Sequence, residues 1–257
     1  MFNPQTKFIE EKMKKTYLSI FFAAFILLFV SQTNAQISFQ VGGGLGYSVP
    51  SGDYGGTTAE FFNGEKYGME SGINFHAKAR LGLLFINAFG EVGYTTFSGE
   101  GDAPSGGGTI KNSQKIVSMK VGPEFAMNIP LSPITPYLQG FVAINTISGS
   151  VEFTGVSGVP SGEADLTSAT RIGLGAGIGA VFSLGGIKLD ANIQYHLINM
   201  GGKEYKVETV TSHTRLDQYT NLNDAEDPSA GTLTDHFIAD SRNMSAIEFK
   251  LSVLFGL

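Results

Sequence analysis

The chain is 257 residues long, holds 34 Gly, no Cys and no Trp, and carries a formal net charge of −6 at pH 7. An acidic balance argues against nucleic acid, whose recognition needs a basic patch. A cysteine-free chain runs no risk of wrong disulfides in an oxidising compartment. No apolar run after residue 35 reaches the length of a spanning helix, so a membrane protein made from it has to be a closed sheet.

At the N-terminus, Met13, Lys14 and Lys15 form a positive segment, residues 17–30 an apolar one, and Thr33-Asn34-Ala35 a small-residue cleavage site. That order is the pattern of a secretory signal peptide, and the apolar run falls short of the ~20 residues of a spanning helix. Residues 1–12 lie upstream of a better start at Met13. We therefore expect a signal peptide over 1–35 and one mature domain over 36–257, a size that all-β barrels reach undivided.

Successive side chains of a strand point to opposite faces, and on that basis the mature chain divides into eight strands. Strand 1, 37–49, sets Phe39, Val41, Leu45, Tyr47 and Val49 against Gln40, Gly42, Gly44, Gly46 and Ser48, and a polar loop runs over 50–68. Strand 2, 72–84, alternates Ile73, Phe75, Ala77, Ala79 and Leu81 with Asn74, His76, Lys78, Arg80 and Gly82. Two adjacent cations on one face cannot lie in an apolar core. A short turn leads to strand 3, 88–97, with Val92 and Tyr94 on the apolar face and Glu91 and Thr95 on the other, and a long loop over 98–113 follows.

Strand 4, 114–127, places Val117, Met119, Val121 and Phe125 opposite Ser118, Lys120 and Glu124. Pro123 removes a ladder donor there, so a bulge or kink is expected. After a turn over 128–134, strand 5, 135–146, carries Leu138, Val142 and Ile144 against Tyr137, Gln139, Phe141 and Asn145, and a third long loop covers 147–168. Strand 6, 169–184, alternates Ile172, Leu174, Ala176, Ile178, Ala180 and Phe182 with Arg171 and four glycines. Gly185-Gly186 then turns the chain tightly into strand 7, 187–197. There Leu189, Ala191, Ile193 and Tyr195 oppose Lys188, Asp190, Asn192, Gln194 and His196. The longest loop, 198–243, precedes strand 8, 246–257, whose Ile247, Phe249, Leu251, Val253 and Phe255 share a face opposite Glu248 and Lys250.

The polar faces hold Lys78, Arg80, Lys120, Arg171, Lys188 and Lys250 against Glu91, Glu124, Asp190 and Glu248. Facing inward in a small barrel they have to pair, because buried charge without a partner is costly. The inward glycines of strands 1 and 6 make room for large neighbours, since eight strands enclose little more than their own side chains. Gly175-Ala176-Gly177-Ile178-Gly179-Ala180 fits the loose dinucleotide fingerprint, but the period of two continues unbroken to Phe182 instead of opening a helix.

Histidines 76, 196, 213 and 236 raise the question of catalysis, and no outward Ser–His pair stands out. Asp235-His236 is a bare dyad without a second carboxylate pair. The run Asn221-Leu222-Asn223-Asp224-Ala225-Glu226-Asp227 gathers oxygen donors but lacks the spacing and central Gly of a calcium loop, and it reads as a solvated loop. No catalytic, cofactor-binding or metal-binding residue is assigned, and no cofactor is expected.

Long and short connections alternate along the chain, and the last strand ends on Phe255 and Leu257. On this pattern the mature chain resembles the OmpA/OmpX-type outer-membrane barrel family, whose short periplasmic turns and long extracellular loops alternate in the same way. The expected fold is all-β: an eight-stranded antiparallel up-and-down transmembrane β-barrel. Residues 198–243 leave room for two further strands, so ten remains open. The resemblance implies outer-membrane localisation, outer-membrane lipid as surroundings and recognition of the last strand by the barrel-assembly machinery. Both termini are expected on the periplasmic side, with no peptidoglycan-binding domain after strand 8.

The expected function is non-enzymatic: a structural, adhesive or envelope-interaction role, with an extracellular ligand of the loops as a further expectation. The alternatives are a small-solute channel, a lipid-modifying outer-membrane enzyme and a soluble ligand-binding barrel. Replacing Lys78 and Arg80 by Ala is expected to loosen the interior and raise conductance.

Overall fold

In the computed structural model the strands close into one ring in chain order. The structure describes residues 37–83, 86–104, 107–127, 129–206, 215–229 and 237–256. The expected signal peptide, His213 and the Asp235–His236 pair lie outside the described residues. The strands are β1 (Ile37–Ser51), β2 (Gly72–Leu83), β3 (Ile86–Asp102), β4 (Thr109–Ala126), β5 (Ile134–Thr154), β6 (Gly162–Leu184), β7 (Ile187–Gly201) and β8 (Ser245–Gly256). The ring closes through β1 and β8, antiparallel from Gln40↔Gly256 to Ser51↔Ser245. Eight strands, not ten, form the ring among the described residues, since the described part of the chain between β7 and β8 holds a 3-10 turn at Arg215–Gln218 and no strand.

The expected alternation holds strand by strand. Leu45, Phe75, Val92, Met119, Leu138, Ile178, Ile193 and Leu251 are exposed on the outside, while Lys78, Glu91, Lys120, Gln139, Asn192 and Lys250 are buried inside. A continuous apolar belt of this size on a chain's outer surface calls for a non-aqueous covering. The register also fixes heights. Tyr195 lies across from Ile247, Tyr47 from Phe249 and Phe75 from Tyr94, all toward the end that carries the long connections. Phe182, paired with Ile134, and Phe255, paired with Ile187, lie toward the other end. Aromatic residues at both rims suit a membrane interface, where an apolar ring meets water.

Three sequence expectations are corrected. The stretches 98–113 and 147–168 are not plain loops: β3 and β4 stay paired out to Asp102↔Thr109, and β5 and β6 out to Phe153↔Gly162. Their polar outward residues made them look like loops, yet a strand standing clear of the belt needs only one apolar face. At Pro123 there is no bulge; Val121↔Val142 and Glu124↔Gln139 keep one register. The missing rung is tolerated because Gly122 lets the backbones close in, a Cβ there falling 1.8 Å from the Gly140 carbonyl. The register shifts lie elsewhere, at Ile147/Gly149 and at Ile172/Leu174, just where the extended sheet joins the barrel proper. Finally, the connection after β1 holds a 3-10 turn, Gly52–Tyr54, and a short helix α1 (Thr58–Phe62). Thr57 and Glu60 cap α1 reciprocally, each side chain bonding the other's backbone N–H.

Candidate functional site

Two features could carry function: the barrel interior and the folded cap over its long-connection end. The interior charges form two groups. Nearer the short turns, Lys78 Nζ lies 2.8 Å from both Asp190 and Glu124, and Arg80 reaches Glu124 at 2.5 Å and Asp190 at 2.8 Å. The Tyr137 hydroxyl donates to Asp190 at 2.5 Å, and Arg80 Nη1 donates to Gln40 at 3.2 Å. Further along, Lys120 and Lys250 each lie 2.8 Å from Glu248, and Lys250 also pairs with Glu91. His196 Nδ1 and Gln194 Nε2 complete the Glu248 shell at 2.9 and 2.7 Å.

Each group sets two cations against two carboxylates, so each is neutral in itself. That balance is what permits burial: an ion pair in low dielectric survives only when its partners and remaining lone pairs are satisfied. An edge-to-face pair, Phe89 and Phe141, 6.4 Å between centroids, touches both groups, with Lys78 over Phe89 at 5.1 Å and Lys120 over Phe141 at 5.0 Å. The glycines of β6 admit this filling: a Cβ at Gly175 would meet the Phe141 ring at 2.2 Å, and one at Gly179 the Tyr137 ring at 2.3 Å.

Of the six expected interior cations, four join these groups and two do not. Lys188 is half-buried near the short turns and makes no ion pair among the described residues. Arg171 takes its carboxylate from the chain between β7 and β8: Asp224 accepts from Arg171 Nε at 2.9 Å and Nη2 at 2.8 Å. Asp224 is fully buried and accepts in addition from Asn199 Nδ2 and the Glu204 N–H. The run 221–227 is therefore not a solvated loop. Its oxygens serve the fold, which no local spacing could reveal. Among the described residues no group of three His, Asp or Glu is placed to hold a metal ion.

Above the charges, loops and strand extensions build an apolar core like that of a soluble domain. Tyr54, Tyr67, Met69, Phe97, Ile116, Ile147, Ile198 and Met244 are buried together. Beyond them Phe61 of α1, Phe153 of β5 and Tyr219 cluster, with Tyr219 4.9 Å from Phe61 and 5.5 Å from Phe153 between centroids. The cap covers the strand edges that the extensions create. Glu70 N–H donates to the Ser98 carbonyl on β3, and Thr167 N–H of β6 to the Thr220 carbonyl. Open ladder groups are thereby shielded from foreign strands.

One interior constellation has the hydrogen bonding of a hydrolytic triad. Ser252 Oγ lies 2.8 Å from His76 Nε2, and His76 Nδ1 lies 2.8 Å from Asn74 Oδ1. Geometry must also leave space for a reacting carbonyl and donors for its oxyanion. Ser252 is 0% exposed, and even a Cβ on Gly44 would stand 2.8 Å from His76 Nε2. The three side chains fill space and satisfy one another; a substrate has nowhere to sit.

A closed up-and-down ring, apolar outside and charged within, is the architecture of the eight-stranded outer-membrane β-barrels. No protein-family model and no curated protein sequence matches the chain. Among solved structures it is similar to Neisserial surface protein A, at 17% identity over 85% of this chain and 96% of that one, with a TM-score of 0.44. It is similar also to Ail, the attachment invasion locus protein of Yersinia pestis, at 13% identity over 86% and 99%, TM-score 0.42. A major outer membrane protein from Thermus thermophilus matches at 10% identity over 85% and 99%, TM-score 0.48.

Proposed function

We propose that the protein is an integral outer-membrane barrel without enzymatic activity, whose folded cap is an extracellular contact surface for adhesion or envelope interaction. The observation that carries this reading is the contrast between the two ends of the molecule. The interior is packed with two neutral charge groups and roofed by apolar side chains, whereas the strand extensions present an ordered polar face. On that face Glu100, Lys111, Glu152 and Glu163 follow one another in register across β3 to β6, all exposed. Under this reading the signal peptide over 1–35 is cleaved on export, and β8 addresses the barrel-assembly machinery.

The alternatives fit less well. A steady channel needs a path past Lys78, Phe141, Lys250 and the cap. A soluble ligand-binding barrel needs an apolar interior and a polar exterior, the reverse of what the alternation provides. An enzyme acting on lipid needs a reachable nucleophile, and Ser252 is not one.

Because the chain has no native cysteine, single-cysteine labelling tests the reading cleanly. Glu152→Cys should react with a membrane-impermeant maleimide on intact cells, and Gly186→Cys only after the outer membrane is opened. The folded protein should fractionate with the outer membrane and change its electrophoretic migration on boiling. Reversed labelling, or recovery with the soluble fraction, would overturn it.

A further inference from the structure

At the base of the cap one buried cation is held by carbonyls and a ring. Arg242, just before β8, is 3% exposed and makes no ion pair among the described residues. Its Nη groups donate to the carbonyls of Lys66, Leu222 and Asn223 at 3.1–3.2 Å, and its guanidinium lies 4.1 Å from the Tyr67 ring centroid. Its Nε–H has no acceptor, and neither does the buried hydroxyl of Tyr67. Arg242 and Tyr67 border a small, partly open cavity of about 20 Å³, together with Gln114, whose buried amide oxygen is also unpartnered. The other arginine nearby, Arg171, is already matched by Asp224.

We propose that this cavity is a binding site for one small monovalent anion, of the halide class, held by Arg242 Nε–H and the Tyr67 hydroxyl. The space is that of one water-sized species, which excludes sulfate and organic anions. A water would satisfy the two donors and the Gln114 oxygen but would bring no negative charge to Arg242, whose other partners are three carbonyls and the Tyr67 ring. Burial raises the Tyr67 phenol above its ordinary range, so it stays an O–H donor. The Gln114 amide can present its NH2 to the anion by rotating half a turn, since its two ends are nearly isosteric. The anion would tie the connection after β1, through Tyr67, to the segment before β8, through Arg242. Halide should therefore hold the cap closed.

The test uses the full-length protein folded in detergent micelles, at fixed ionic strength, with sodium gluconate replaced stepwise by sodium chloride or bromide. Proteolysis of the connection before β8 should slow along a saturable curve, by about tenfold when the halide is at ten times its Kd. Tyr67→Phe, which keeps the ring, should shift that curve to higher halide, and Arg242→Gln should abolish it. Folding of both variants is checked by heat-modifiable migration. Should Arg242→Gln fail to fold, Tyr67→Phe and bromide anomalous scattering from crystals carry the decision. A bromide peak in the cavity supports the assignment. Identical proteolysis in gluconate and halide, or a water alone at that position in bromide-grown crystals, overturns it.

Discussion

Asp224, on the connection between β7 and β8, takes two hydrogen bonds from Arg171 of β6, at 2.9 and 2.8 Å, with its carboxylate wholly buried. This bond joins the cap to the mouth of the barrel. Asp224→Ala should cost about 3–5 kcal/mol, the usual penalty for leaving a buried charge alone. Arg171→Met combined with Asp224→Leu should recover part of that loss. Reversible unfolding in liposomes measures both, and a double variant as unstable as the single one would show that the pair is not the anchor.

Gly175 and Phe141 are a second coupled pair. Gly175→Ala should destabilise by about 1–3 kcal/mol through overpacking against the ring. Phe141→Leu in the same chain should restore part of the folding yield, read as the heat-modifiable band, because the added Cβ still meets the Tyr195 carbonyl at 2.5 Å. If the second change brings no recovery, the glycine is required for something other than the ring.

The outward face is tested at Ala191, in the row Ala180, Ala191, Leu251 and Leu45 at mid-belt. Ala191→Arg should lose about 2–4 kcal/mol in a bilayer, the cost of a cation at the midplane of the lipid face. Ala191→Leu should be near neutral. Equal losses for the two would contradict the position of the belt.

The barrel was legible in the sequence because alternation is local: one residue's face predicts the next. Lys78 and Arg80 on one face of β2, opposite Phe75 and Leu81, already exclude an apolar core. The need for interior glycines opposite Tyr137 and Phe141 could also be read. What could not be read depends on contacts far apart in the chain. Asp224 is one of several acids in a polar run, and only the fold turns it inward to Arg171, 53 residues away. The extensions of β3 to β6 were hidden for a related reason. Outside the belt, Glu100, Lys111 and Glu152 take the places that Val and Leu hold lower down, so the apolar signal fades while the ladder continues.

The structure also changes the expected result of opening the interior. Lys78→Ala with Arg80→Ala removes both cations of one charge group and leaves Glu124 and Asp190 without them, but Lys120, Lys250, the Phe89–Phe141 pair and the cap remain. The double variant should lose stability, by about 3–5 kcal/mol for the broken buried pairs, and stay closed to ions. Unfolding in liposomes and conductance in planar bilayers measure the two effects separately. A large, steady conductance from this variant would mean that the first group alone is the barrier.

The most direct measurement of the central claim, a shut barrel that presents a surface instead of a pore, is the conductance of the purified wild-type protein in planar bilayers. The interior of eight strands is filled by side chains, and here it is also roofed, so the membrane should stay silent apart from small sporadic openings. Steady porin-like conduction by the wild type would contradict the account and give the channel reading its place.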